Sequence, residues 1–174
     1  MTSESSTIEI RNAISYQGML LGGRPTAQDF EKMSEGNYRT VIDLRAFAET
    51  GVEDDRKLVE KFGMTAINIE VPGAKGLTKE AAVLLHEALL NAEGPIVVCC
   101  ASGNRVGALL ALRAFWVQGK SVEESMTVGK LAGLLGLEST VRDILESGES
   151  VQGVGRDNAI QATPQQSQGA DAQQ

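Results

Sequence analysis

Residues 96–100, Ile-Val-Val-Cys-Cys, set five apolar side chains in succession between Gly94-Pro95 and the small-residue run Ala101-Ser102-Gly103. A strand with one solvated face alternates polar and apolar residues, so an unbroken run predicts a strand covered on both faces, as in the middle of a parallel sheet. Parallel strands need crossovers, and the chain supplies them: helical spacing over 27–35, 54–62, 78–91 and 105–117 alternates with extended segments at 40–44 and 65–71. The expected fold class is α/β, a three-layer sandwich with a mainly parallel central sheet and a ligand site at the carboxyl ends of its strands.

Local signals set the boundaries. Thr26 is placed to cap the helix from Ala27 to Glu35, with Asp29 in its first turn; Gly63 ends the next helix; Thr78 caps a third, whose Ala82, Leu85, Leu89 and Leu90 fall on one stripe. Ser121 and Glu124 form a capping box for a helix running toward Leu131, and Glu138 to Glu146 predicts a last short helix. Ile8 to Arg11 and Met19 to Gly22 read as brief strands. With 174 residues the chain fits one domain, 8–148, preceded by a flexible leader at 1–7. From 149 to 174 it is rich in glutamine and glycine and poor in large apolar residues, which predicts a disordered tail.

Charge and composition prune the functions. The net charge is -7 and no basic cluster occurs, which argues against nucleic acid and acidic membrane surfaces as partners. The start, MTSESSTIEIRN, lacks the basic and apolar regions of a signal peptide, and no apolar run reaches membrane-spanning length. The two cysteines are neighbours, unsuited to a structural disulfide, so a reducing cytoplasm is expected. The single histidine, His86, lies in the helical stretch AAVLLHEALL and reads as a partly exposed helix residue. That argues against serine-histidine triads, papain-like pairs and histidine-based zinc sites. No metal and no organic cofactor is implied.

The chemistry concentrates in Cys100-Ala101-Ser102-Gly103-Asn104-Arg105, between the buried strand and an amphipathic helix. A strand, a tight loop and a helix N-terminus together bind anions, because loop N–H groups converge where the helix adds partial positive charge. Small residues at 101–103 permit the curl. A thiolate is the form of Cys100 such a nest favours, and Arg105 supplies a planar fork of donors matched to a tetrahedral oxyanion. An arginine at a helix N-terminus is electrostatically unfavourable unless an anion sits near it. Strand alternation sends Cys99 to the opposite face, where core packing is its expected role.

From GMLLGGRPTAQDF through TVIDLR, FGMTAINIEV and IVVCCASGNRVGALLALRAF, the chain resembles the phosphatase-like domain family first described beside beta-lactamase-hydrolase-like proteins. The resemblance spans about Ala13 to Gly133. It implies a fold similar to the dual-specificity tyrosine phosphatases, with Cys100 as nucleophile, Arg105 as anion clamp, and Ala101, Ser102, Gly103 and Asn104 as the substrate-binding loop. The chain departs from the full phosphatase signature: four residues rather than five separate cysteine from arginine, Cys99 stands where a histidine precedes the nucleophile, and Val106 replaces a hydroxyl residue. A four-residue interval is similar to rhodanese loops.

Three readings are open. In the first, a phosphatase acts on a phosphorylated protein or small phosphate ester, with Glu70 at the end of TAINIE as candidate acid and Asp43 as a weaker one. In the second, a sulfurtransferase carries sulfur from a sulfane-sulfur donor as a Cys100 persulfide. In the third, the loop binds phosphate without catalysis. Arg45 is expected near the same rim, either binding substrate or paired with Asp43 or Glu49, and Arg24 reads as a turn residue.

Overall fold

The apolar run at 96–100 becomes the centre of the sheet. The computed structural model describes residues 7–157. Its strands are β1 (Ile14–Tyr16), β2 (Met19–Gly22), β3 (Thr40–Asp43), β4 (Thr65–Asn68) and β5 (Ile96–Cys99), in the spatial order β1-β2-β5-β3-β4. All neighbours run parallel except the β1–β2 hairpin. The helices are α1 (Ala27–Glu35), α2 (Val52–Lys61), α3 (Lys79–Asn91), α4 (Asn104–Trp116), α5 (Val122–Leu131) and α6 (Glu138–Asp157).

Two layers of helix cover the two faces, which makes the expected three-layer sandwich. On one face Val41, Val97 and Cys99 pack with Phe30 and Met33 of α1 and Val59 of α2. On the other, Ile42, Val98 and Cys100 join Leu85 of α3, Leu109 and Leu112 of α4, Met126 of α5 and Leu145 of α6. Adjacent residues of β5 therefore feed opposite layers, which is why its sequence cannot alternate. Helix α4 is buried on nearly all sides and reads as a continuous apolar segment, Val106 to Leu112, for the same reason.

The caps hold as the side-chain chemistry predicts. Thr26 and Asp29 form a reciprocal capping box at α1, Ser121 and Glu124 one at α5, and the Thr78 hydroxyl accepts from Ala81 N at α3. Helix α2 begins at Val52, two residues before the predicted start, with Glu53, Asp54 and Asp55 all in its first turn, where the helix dipole favours them.

Two segments differ from expectation. Ile8 to Arg11 alternates like a strand but has no ladder: Glu9 N donates to Asp29 Oδ1, and Arg11 O accepts from Gly23 N. The first strand is instead Ile14–Tyr16, folded onto β2 by Gln17 and Gly18, both at positive φ as a two-residue hairpin turn requires. Helix α6 continues to Asp157, beyond the predicted end at Glu146 and into the segment read as tail. Once nucleated against the core by Val141 and Leu145, a helix extends at small cost per residue, and composition alone does not reveal that anchor. Residues 1–6 and 158–174, on which the rest of the leader and tail expectations fall, lie outside the described residues. Among the described residues no helix is long and apolar enough to cross a membrane.

Candidate active site

The loop from Cys100 to Asn104 follows β5 directly and opens α4. Gly103, the residue capping α4, has φ +90°, and a Cβ there would also press on the Gly22 backbone at 3.3 Å, so glycine alone fits. The loop's outer side is tied down by Cys100 N to Gly22 O (3.2 Å), Arg24 N to Ala101 O (3.3 Å) and Asn12 Nδ2 to Ser102 O (2.8 Å). Turned the other way, Gly103 N donates to Cys100 Sγ at 3.1 Å. Cys100 is almost wholly buried, at 1% exposure, yet this contact holds its sulfur to the loop.

Arg105, in the first turn of α4, folds back over the loop. Its Nη1 donates to Glu49 Oε1 (2.5 Å) and to Val71 O (2.9 Å), and its Nη2 donates to Glu49 Oε2 (2.9 Å). The same Glu49 Oε1 accepts from Ala46 N at 2.9 Å. A bidentate pair of this kind is strong and directional. It holds the Glu49 carboxyl down at about 2, chiefly through the hydrogen bonds from Arg105. The Arg105 pKa is raised in return, first by Glu49 and then by the nearby Cys100 sulfur. Glu49, Gly73, Ser102, Asn104, Arg105 and Leu137 line a cleft of about 410 Å3 at this point.

Beside that cleft lies a second arginine cluster that is internally neutral. Arg45 is 2% exposed, with Nη2 on Asp43 Oδ2 (2.7 Å) and on Asp55 Oδ2 (2.6 Å) and Nη1 on Thr50 O (3.2 Å). Arg24 completes it with two hydrogen bonds to Asp55, at 2.8 and 3.1 Å. Burial works against the Arg45 charge, and the hydrogen bonds and charges of Asp43 and Asp55 more than offset it, so its pKa lies above the ordinary value. Two cations face two carboxylates here, which leaves no net charge to attract a substrate.

Solved structures share this arrangement of chain. A candidate phosphatase from Neisseria meningitidis superposes with a TM-score of 0.60 at 22% identity, over 74% of this chain and 92% of that one. The core catalytic domain of the PP-IP phosphatase SIW14 from Saccharomyces cerevisiae, in complex with citrate, gives 0.60 at 18% identity, over 89% and 98%. The chain has the fold of the protein-tyrosine-phosphatase-like proteins. A variant of TpbA from Pseudomonas aeruginosa, in complex with phosphotyrosine, gives 0.57 at 17% identity, over 86% and 96%. No family model matches the chain, and no curated protein sequence does.

Within this phosphatase-like fold the predicted residues divide. Cys100, Ala101, Ser102, Gly103 and Arg105 come together at the loop. Asn104 lies on the same cleft, but its Oδ1 accepts from Leu135 N at 3.0 Å, so the side chain fastens the α5–α6 connection rather than reaching inward. Arg45 is buried and paired with Asp43, the structural alternative of its two readings, and not with Glu49. Glu70 is exposed, accepts from Phe47 N at 2.7 Å, and does not line the cleft that holds Arg105. Arg24 is more than a turn residue, since it braces Asp55. Cys99 faces α1 and α2, and burial pushes its thiol well above the ordinary value. His86 is half-buried on α3 and accepts from Arg113 Nε.

The residue that sequence reasoning missed as part of the site is Glu49. Asp43, the last residue of β3, and Glu49 and Glu70, in the loops after β3 and β4, all lie at the carboxyl ends of strands, which is the available signal. Nothing in spacing ranks them, because the pairing of Glu49 with Arg105 spans 56 positions.

Proposed function

We propose that the protein is a cysteine-dependent phosphatase acting on a phosphate monoester. The observation that carries this reading is the Cys100 sulfur held by the Gly103 amide at the mouth of α4, with Arg105 folded over the same loop. Cys100 as thiolate attacks phosphorus, the loop amides and Arg105 hold the equatorial oxygens, and the P–O bond to the leaving group breaks as the P–S bond forms. Water then attacks the thiophosphoryl group, releasing phosphate and restoring the thiolate. That the SIW14 structure holds citrate and the TpbA structure phosphotyrosine supports an anion as ligand for this chain as well.

The test is hydrolysis of an aryl phosphate. Wild-type protein is expected to release phosphate, Cys100→Ser to abolish release, and Cys99→Ala to retain it. Transfer of one sulfur from thiosulfate to Cys100, with phosphate esters untouched, would replace this reading with the sulfurtransferase one.

A further inference from the structure

The thiolate mechanism needs a proton for the departing oxygen, and the carboxylates named from sequence are engaged elsewhere. Asp43 is locked to Arg45 at 2.7 Å, and Glu70 to the Phe47 amide, off the cleft. The loop at 72–77, whose Gly73 also borders the cleft, carries no carboxylate at all. Among the described residues lining the Arg105 cleft and two clefts that adjoin it, Glu49 is the single carboxylate. Its side chain is 34% exposed, so unlike Asp43 it is not enclosed.

We propose that Glu49 is the acid of this reaction, displaced from Arg105 by the incoming phosphoryl group and protonated as that group binds. The proposal rests on the phosphatase reading. Charge around the site requires the exchange. The groups facing Glu49 are Arg105, its direct partner, and Arg45, whose charge Asp43 and Asp55 already neutralise, as Asp55 does that of Arg24. Before substrate binds, Arg105 and Glu49 cancel. A phosphate dianion and the Cys100 thiolate then compete for the one guanidinium, and an ionised Glu49 beside them is a further like charge, which favours its neutral form. The depressed pKa of the free site is the other side of this linkage: it is low because Arg105 is unshared.

The proton arrives on a phosphate monoester bound as its monoanion, passes to Glu49 as the group takes Arg105, and at the end of the cycle leaves on the product phosphate as Glu49 returns to Arg105. As Cys100 Sγ bonds to phosphorus, the electron pair of the breaking P–O bond stays on the leaving oxygen, which takes the proton from Glu49. The resulting carboxylate accepts a proton from the water that attacks the thiophosphoryl group, as the P–S bond breaks and the thiolate returns.

The alternative role for Glu49 is merely to orient Arg105, and leaving-group chemistry separates the two. Wild type and Glu49→Gln are compared on p-nitrophenyl phosphate, whose leaving oxygen needs little protonation, and on an alkyl phosphate, whose leaving oxygen needs it fully. The expected result is a kcat/KM loss, which reads the steps up to cleavage of the P–O bond, of about 100-fold or more on the alkyl ester and a much smaller loss on the aryl ester. Glutamine keeps the hydrogen-bonding shape, and orthovanadate inhibition reports whether the loop still binds an anion; inhibition at wild-type concentrations or lower is expected. Equal losses on both esters would overturn the proposal while leaving the phosphatase reading intact, as would a leaving-group-dependent loss in Glu70→Gln and not in Glu49→Gln. An inactive wild type would remove both together.

Discussion

Arg45 shows how a single side chain's surroundings decide its role. Its guanidinium is 2% exposed and bonded to two carboxylates, so replacing Asp55 by Asn leaves buried positive charge under-compensated. Breaking such a pair from one side costs about 3–5 kcal/mol. Asp55→Asn is therefore expected to lower the urea midpoint sharply. At the neighbouring cysteines the expectation is opposite in kind. Cys99→Ala removes a little packing from the α1–α2 face, whereas Cys99→Ser buries a hydroxyl among Phe30, Met33 and Val59 and costs about 1–3 kcal/mol more if it finds no partner. The Cys100-to-Arg105 segment was legible in the sequence because the proposed nucleophile, the curl and the proposed clamp lie within six residues and their chemistry is local. Glu49 was not, since its meaning arises from a contact made only after three strands and three helices are in place.

At the level of elements, α4 is positioned as much by the α5–α6 connection as by the sheet. A Cβ built on Gly107 would overlap the backbone of Leu134, so α4 and this connection approach as closely as backbones allow. The same connection receives Asn104, in the first turn of α4, at Leu135. Gly107→Ala must push this strap away, an overpacking change worth about 1–3 kcal/mol. It is expected to lower the melting temperature and to reduce aryl phosphate turnover more than Thr26→Ala does. The latter removes one cap of α1, which packs on the opposite face of the sheet from α4, and costs about 1 kcal/mol by the same melting measurement. Most element types were readable from caps and periodicity. The exceptions trace to side-chain contacts that sequence does not display: the Asp29 carboxylate that takes the amide of Glu9, and the core contacts of Val141 and Leu145 that carry α6 onward.

For the molecule as a whole, the acid limb of stability is set by which carboxylates are held ionised. Glu49 titrates near 2 in the folded state against 4.5 ordinarily. A depressed carboxyl contributes stability that is complete above its ordinary value and is lost as pH falls toward the folded one. Asp29 shifts in the same direction: its burial opposes ionisation, but hydrogen bonds from Thr26 and Glu9 outweigh it. Urea denaturation of wild type is thus expected to show stability declining between about pH 4.5 and 2. In Glu49→Gln that decline should be shallower; an identical slope would mean that the Glu49–Arg105 pair does not persist in solution. The three-layer plan itself was foreseeable from one unbroken apolar strand, because only a doubly covered strand tolerates such a sequence. That strand has one more consequence. Cys99 sits opposite Gly22 on one side and Asp43 on the other, so two ladders together fix which of two adjacent thiols opens the loop into α4. A slip of a single position would exchange them and lengthen the interval to Arg105 by one, so which sulfur stands in the place of the proposed nucleophile is settled by strand alignment before any difference in sulfur reactivity is felt.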